Sequence, residues 1–122
     1  SDPDLCMSYA IHLNRRGSYQ SVIKWTEYSL ENKQKWSGSS HVKKVNALYK
    51  LRAKAASKLW RAADEELVRE RNPGNEKAAE RTRGSAMNYA KEWLDYARAS
   101  GQSTADALAL CVSAAHTQDF CK

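Results

Sequence analysis

The sequence has few of the residues that interrupt a helix. It contains two prolines and five glycines in 122 residues, while Ala, Lys, Arg, Glu and Leu dominate its middle. No segment alternates β-branched and polar residues as a half-buried strand does. These absences argue against a β fold, and the length suits one domain with its own hydrophobic core. We therefore expect residues 1–122 to form a single all-α domain.

Long apolar runs are also absent. No stretch approaches the roughly 18 consecutive apolar residues that cross a bilayer. The opening Ser-Asp-Pro-Asp is unlike a signal peptide, which has a basic and then an apolar segment. The chain is expected to be soluble and to have no transmembrane segment.

The short motifs that hold metals, phosphates or nucleophiles are missing as well. The three cysteines are not paired as C-x-x-C, and the three histidines lie on separate segments. Neither an H-E-x-x-H motif nor a phosphate-binding glycine loop occurs. We predict no catalytic residue, metal ligand or cofactor, and we expect that the domain is not an enzyme.

Two of the cysteines, Cys111 and Cys121, flank a short C-terminal segment. In an oxidising compartment they would bridge and fix the C-terminus, leaving Cys6 as a buried helical residue. The alternative is three reduced thiols packed as small apolar residues. A bridge would favour the cell envelope or the exterior, and the compartment is otherwise open.

Turn and capping signals divide the chain into five predicted helices, at about 4–15, 18–36, 40–71, 75–99 and from about 103 onward. Gly17 and Gly101 suit the position after a helix end, and Pro73 disfavours helical geometry in the residue before it. The predicted N-terminal caps are Ser18, Ser40, Asn75 and the pair Ser103 and Asp106.

Apolar residues at spacings of three and four mark the inward face of each predicted helix. The inward residues of the first helix are Cys6, Tyr9, Ala10 and Leu13. Those of the third are Val45, Leu48, Tyr49, Ala55, Ala56, Leu59, Trp60, Ala63 and Leu67. Those of the fifth are Ala105, Leu108, Ala109 and Val112.

The first two predicted helices carry an ordered set of large and small residues around a turn. Cys6, Tyr9, Ala10 and Leu13 precede Gly17-Ser18-Tyr19, and Val22, Thr26 and Ser29 follow it. This order resembles a tetratricopeptide repeat, a helical hairpin of about 34 residues that stacks on its neighbours. Ala90, Leu94 and Ala97 stand 68 positions after the last three residues, which is twice that length.

The chain departs from the family pattern in two places. The proline that closes a unit is absent near Gln34, and no turn separates Tyr49 from the small-large-small set Ala56, Trp60 and Ala63. The middle unit is therefore either rebuilt as one long helix or not a true repeat. The resemblance implies antiparallel hairpins in a right-handed superhelical stack with a C-terminal capping helix. It also implies a non-catalytic scaffold that binds a segment of a partner protein.

The third predicted helix carries a stripe of positive charge. Its five members lie within about 80° of one another on a helical wheel, and no acidic residue occurs between His41 and Ala63. They are Lys43, Lys50, Lys54, Lys58 and Arg61. The chain has 20 Lys and Arg against 14 Asp and Glu, a net charge of +6. The stripe either docks an acidic protein segment or is merely a solvated face.

Three further residues are candidates for partner binding. Arg52 projects from the middle of the apolar arc of the third helix, so it either packs its stem and pairs with an internal carboxylate or anchors a partner carboxylate. Glu27 and Glu31 are its suggested internal partners. Trp25 and Tyr28 lie off the inward stripe of the second helix and would form an exposed face for a partner or another copy of the chain.

Nucleic-acid binding is the alternative function, because the basic third helix would attract phosphates. Against this alternative, Asp64, Glu65, Glu66 and Glu70 follow on the same helix. No DNA- or RNA-reading motif is present either. A protein partner is therefore the preferred interpretation of the basic stripe.

Overall fold

The computed structural model describes residues 2–36 and 41–122, and every regular element within them is helical. The helices are α1 (Pro3–Arg15), α2 (Tyr19–Glu31), α3 (Val42–Arg69), α4 (Pro73–Ala99) and α5 (Ala105–Ala115), with a 3-10 turn at Lys33–Lys35. The described ranges contain no strand, which confirms the predicted all-α fold of five helices. No helix in the same ranges is both long and apolar enough to cross a bilayer.

Two glycines allow the chain to reverse after a helix. Gly17 follows α1 and Gly101 follows α4, and both have a φ of 72°, a left-handed conformation that strains any residue with a Cβ. Each glycine N–H bonds to the carbonyl three residues back, and the next N–H bonds five residues back, as Ser18 does to Leu13. This is the Schellman arrangement, which satisfies the last carbonyls of the helix.

The start of α4 differs by one turn from the sequence expectation. Asn72, not Asn75, is the capping residue, because its Oδ1 accepts the backbone N–H of Asn75 at 2.9 Å. Pro73 occupies the first helical position, where its missing N–H costs nothing. The Asn-Pro pair therefore begins the helix directly after the turn.

Other predicted helix ends also need correction. α2 ends at Glu31 and not near residue 36, because the chain continues as the 3-10 turn. Ser18 makes no side-chain capping bond to α2. Thr104, not Ser103, precedes α5, and it also makes no capping bond. The predicted cap at Ser40 lies outside the described residues.

α3 is the centre of the fold, since it packs against each of the other four helices. It runs without a break from Val42 to Arg69, so the middle segment is one long helix. Lys58 lies over the ring of Tyr19 near one end of α2, and Lys33, just beyond the other end, contacts Tyr49. These contacts show that α2 and α3 are antiparallel, and α4 likewise reverses against α3.

Alanines line the contacts between α3 and α4. Ala53 and Ala56 on α3 and Ala86, Ala90 and Ala97 on α4 are at most 1% exposed, and such small side chains let two helices approach closely. Most of the predicted inward arc of α3 is buried, namely Val45, Leu48, Tyr49, Ala55, Ala56 and Trp60, with Leu59, Ala63 and Leu67 half-buried.

α5 is rotated relative to the sequence expectation. It buries Ala107, Cys111 and Ala114. Of the residues predicted to face inward, Ala105, Leu108 and Ala109 are exposed and Val112 is half-buried. Cys111 and Cys121 form a disulfide, and both are fully buried. The bridge requires Cys111 to face inward, which explains the rotation.

Candidate functional site

A cavity of about 540 Å³ opens between α2, α3 and α4 beside the 3-10 turn. We call it the tyrosine cavity, because two stacked tyrosines, Tyr49 and Tyr96, form part of its wall. The remaining lining residues are Glu27, Leu30, Glu31, Lys33, Arg52, Glu92 and Asp95. The cavity therefore combines aromatic rings with charges of both signs.

Arg52 lies in the wall of this cavity and is 6% exposed. Its Nη2 pairs with Glu92 of α4, and its guanidinium carbon lies 4.4 Å from the ring centroid of Tyr89. The suggested partners Glu27 and Glu31 line the same cavity but do not form this ion pair, so that expectation is wrong. The buried Nε of Arg52 has no hydrogen-bond partner among the described residues.

Lys33 places its ammonium against the stacked tyrosines. The Nζ lies 5.0 Å from the ring centroid of Tyr49 and 5.5 Å from that of Tyr96, within the range of a cation–π contact. It also donates a hydrogen bond to the Tyr49 hydroxyl at 2.5 Å. The two rings are 4.9 Å apart and nearly parallel, with an interplanar angle of 26°. The tyrosine pair thus already accommodates an ammonium group.

The cavity carries a charge opposite to that of the whole chain. Four carboxylates and two cations line it, a balance of −4 and +2 that leaves −2, whereas the chain carries +6. Within residues 2–36 and 41–122, Glu92 and Asp95 are in ion pairs, but neither Glu27 nor Glu31 is. Two exposed carboxylates at the rim are therefore without a cationic partner in the described part of the chain.

Two tyrosines have raised pKa values, namely Tyr96 in the cavity wall and Tyr89, which lies outside the cavity lining but contacts Arg52. Burial raises the pKa of Tyr96, as does Tyr49, while the ammonium of Lys33 acts in the opposite direction. Burial also raises the pKa of Tyr89, with further increases from Glu27 and Glu92 that outweigh the effect of Arg52. The surroundings therefore favour the neutral phenol at both Tyr96 and Tyr89.

The predicted stripe on α3 lies on the opposite side of that helix from the tyrosine cavity. We call it the basic face, and its members are Lys43, Lys50, Lys54, Lys58 and Arg61. All are exposed except Lys50, which is half-buried. None forms an ion pair with any residue that the structure describes. The members of this face are therefore not held in ion pairs by the described residues, and a groove that adjoins the face contains one carboxylate, that of Asp106.

A groove of about 370 Å³ between α3 and α5 adjoins the basic face. Lys54 and Arg61 contribute positive charge, Leu110 and Trp93 contribute apolar surface, and Asp106 contributes one carboxylate. Arg61 is held at this edge, because its Nη2 donates to the Ser113 hydroxyl of α5 at 3.3 Å. Cationic and apolar groups thus occur side by side along α3.

A third surface contains the predicted residues Trp25 and Tyr28. The ring of Trp25 meets Tyr9 edge-on at 5.0 Å and stacks on Tyr28 at 6.1 Å. Tyr28 is 56% exposed and Tyr9 is 49% exposed, so Tyr9 does not face inward as expected. Trp25 is half-buried, and its Nε1 donates to the Cys6 carbonyl at 3.2 Å. We call these three rings the aromatic patch.

The structure does not bring all eight predicted binding residues to one site. The basic face, Arg52 and the aromatic patch lie on three separate surfaces. The sequence interpretation missed Lys33, Glu92 and the pairing of Tyr49 with Tyr96. A lysine just after a helix end gives a weak local signal, but the cross-helix pairing depends on the tertiary fold.

Within the described ranges, no group of three or more His, Cys, Asp or Glu side chains is arranged to hold a metal ion. Comparisons with protein-family models, curated proteins and solved structures give no match for this chain. The residues themselves are therefore the basis for any functional proposal.

Proposed function

We propose that the domain is a non-catalytic protein-interaction module that docks an acidic segment of a partner protein on the basic face. The observation that carries this proposal is the unpaired charge of that face. It has five cations on one side of a rigid helix, and none is in an ion pair with a described residue. A solvated helix face is commonly stabilised by Glu–Lys pairs one turn apart.

The neighbouring groove supports a partner segment that carries apolar as well as acidic residues. Lys54 and Arg61 lie beside the apolar surface of Trp93 and Leu110. Apolar contacts supply affinity, whereas complementary charge supplies orientation and fast association. Because α3 is already ordered, binding a partner on this face loses little conformational entropy of the domain.

We also propose that the hairpins are related to tetratricopeptide repeats. The Gly17 turn between α1 and α2 supports this relationship, since it lies where that family has its inter-helix turn. The uninterrupted α3 departs from the pattern, because a repeat of that family would have a turn within residues 42–69. The proposed docking of a partner on the basic face does not require that the hairpins be tetratricopeptide repeats.

Charge reversal on α3 tests the proposal. The triple variant Lys50→Glu, Lys54→Glu and Lys58→Glu should bind an acidic peptide of alternating Glu and Leu at least about tenfold more weakly than the wild type, a loss of about 1.4 kcal/mol. The matched control is Arg71→Glu, Lys77→Glu and Arg81→Glu, which makes the same change in net charge at exposed positions. Circular dichroism checks that both variants remain helical.

Two results would contradict the proposal. Equal weakening in the control variant would mean that net charge, and not the basic face, attracts the peptide. Tighter binding of a random DNA duplex than of the peptide, with a steep loss as salt rises, would favour the nucleic-acid alternative. Retained peptide binding in the control, together with weak duplex binding, supports a protein partner.

A further inference from the structure

The tyrosine cavity lies on the other side of α3 from the basic face and has the opposite charge. Its rim carries Glu27 and Glu31, two exposed carboxylates without a cationic partner in the described residues. Its wall carries the stacked rings of Tyr49 and Tyr96. Aromatic faces combined with carboxylates attract organic cations, because the rings and the acidic groups both favour positive charge.

Lys33 shows what kind of group this cavity accepts. Its ammonium lies at the edge of the stacked pair, 5.0 and 5.5 Å from the two ring centroids, where it donates to the Tyr49 hydroxyl. The side chain comes from a short 3-10 turn and not from one of the long packed helices. It is half-buried and is in no ion pair among the residues that the structure describes. Among the described residues, Lys33 is thus held by contacts with the two tyrosines and not by an ion pair.

Arg52 provides a second indication that the cavity binds a ligand, because one of its buried hydrogen-bond donors lacks an acceptor among the described residues. This side chain is more than nine-tenths buried, lines the cavity and pairs with Glu92 through Nη2. Its Nε has no hydrogen-bond acceptor among the described groups. A buried donor without an acceptor is costly, and a ligand that carries a hydrogen-bond acceptor as well as its ammonium would supply one.

We propose that the tyrosine cavity binds a primary alkylammonium group, such as a lysine side chain, which displaces Lys33 from the rings of Tyr49 and Tyr96. In the ligand-free protein Lys33 is a built-in occupant that competes with the external ammonium. The bound ammonium takes the position of the Lys33 ammonium at the ring edge, donates to the Tyr49 hydroxyl and pairs with Glu27 and Glu31. A ligand can bind only when Lys33 has left the site. The apparent dissociation constant is therefore the intrinsic one divided by the fraction of molecules in which the site is open.

Removal of the occupant provides the test in the full chain. Lys33→Met keeps most of the length of the side chain but removes its charge, and Lys35→Met makes the same change on the same turn at an exposed residue. The probe is N-acetyl-lysine N-methylamide, and binding is followed through the ring resonances of Tyr49 and Tyr96. We expect Lys33→Met to bind the probe at least about tenfold more tightly than the wild type, and Lys35→Met to match the wild type.

Three further measurements define the chemistry. The uncharged analogue N-acetyl-norleucine N-methylamide, which has the four-carbon chain of lysine without the ammonium, should not bind any variant. Replacing both rim carboxylates, with Glu27→Gln and Glu31→Gln, should weaken probe binding at least about tenfold. These exposed substitutions also keep the proposal testable if Lys33→Met does not fold. Cadaverine distinguishes the source of the ammonium: tighter binding than the lysine probe assigns the site to free diamines, and weaker binding assigns it to lysine side chains.

Either of two outcomes would overturn the proposal. One is an equal gain of affinity in Lys35→Met, which would show that only net charge matters. The other is no shift of the Tyr49 and Tyr96 resonances with the probe in folded Lys33→Met. The triple charge reversal of the basic face should leave probe binding unchanged, so a failure of this proposal is distinguishable from a failure of the proposed function.

Discussion

The guanidinium of Arg52 on α3 pairs with the carboxylate of Glu92 on α4, forty residues along the chain. The side chain of Arg52 is 7% exposed and that of Glu92 is 52% exposed, so the pair reaches from the core to the surface. Arg52 also stacks against Tyr89, with 4.4 Å between the guanidinium carbon and the ring centroid. This contact joins the two longest helices at the wall of the tyrosine cavity.

Separating the two partners should reveal how much this pair stabilises the fold. Glu92→Ala leaves a buried guanidinium without its carboxylate, and we expect the free energy of unfolding to fall by about 2 kcal/mol. Arg52→Met fills the space with an apolar side chain and should cost about 1 kcal/mol or less. In the double variant, Glu92→Ala should lower the free energy of unfolding little beyond the effect of Arg52→Met alone. Urea denaturation of all four proteins gives the coupling energy.

The exposed pair Lys91 and Asp95 is the control for this cycle. It joins residues one turn apart on α4, with 2.7 Å between Nζ and Oδ1. The coupling between its members should be only about 0.3–0.5 kcal/mol. An Arg52–Glu92 coupling as small as that value would mean that Glu27 or Glu31 replaces Glu92 without cost.

The sequence predicted the helices well because their ends depend on local chemistry. Gly17, Pro73 and Gly101 act within one turn of a helix end, and the structure places a helix boundary at each of them. The inward arc of α3 was also predictable, because an apolar stripe on a long helix repeats many times. Short-range signals therefore sufficed for the number and the approximate extent of the helices.

Features that depend on the relative rotation of helices were not predictable in this way. Glu27, Glu31 and Glu92 all reach the cavity of Arg52, and only their three-dimensional distances select Glu92. On the short α5, alanines surround most of the helix, so the apolar pattern gave the wrong face. The disulfide of Cys111 indicates the correct inward face of α5, because a bridged cysteine must face its partner, and Cys121 is buried.

The disulfide between Cys111 and Cys121 should contribute strongly to stability. It closes a loop across a sequence separation of 10. Loop-closure entropy predicts a contribution of about 3 kcal/mol for a loop of this size. Cys111→Ala with Cys121→Ala should therefore lower the free energy of unfolding by roughly that amount. Urea midpoints with and without reductant measure the effect, and reduced wild type should lose a similar amount.

Cys6 provides the control for the disulfide prediction. It is a buried free thiol on α1, so Cys6→Ala should lose some packing but retain the full response to reductant. Three reactive thiols in the unfolded protein without reductant, or a urea midpoint that reductant does not change, would contradict the bridge.

Two neutral tyrosines, Tyr96 in the tyrosine cavity and Tyr89 beside Arg52, should make the fold sensitive to alkaline pH. Tyr89 and Tyr96 have raised pKa values in the folded protein, with burial as the largest cause. The neutral phenol is therefore favoured by folding. This stability is fully present below the unfolded tyrosine pKa of about 10, and it is lost as pH rises through the higher folded values.

Replacing both hydroxyls isolates this contribution. In the variant with Tyr89→Phe and Tyr96→Phe, the free energy of unfolding should stay within about 1 kcal/mol of wild type at neutral pH and fall less steeply above about pH 10. Deprotonation of the lysines remote from these rings affects both proteins equally, so the difference between their pH profiles belongs to the two phenols and to Lys33, which interacts with Tyr96. Tyr28→Phe, outside the cavity and more than half exposed, is the matched control and should keep the wild-type profile. Parallel profiles for the wild type and the double variant would contradict this prediction. They would mean that folding does not favour the neutral form of Tyr89 and Tyr96, because a group whose pKa is raised by folding must make the free energy of unfolding fall as pH rises.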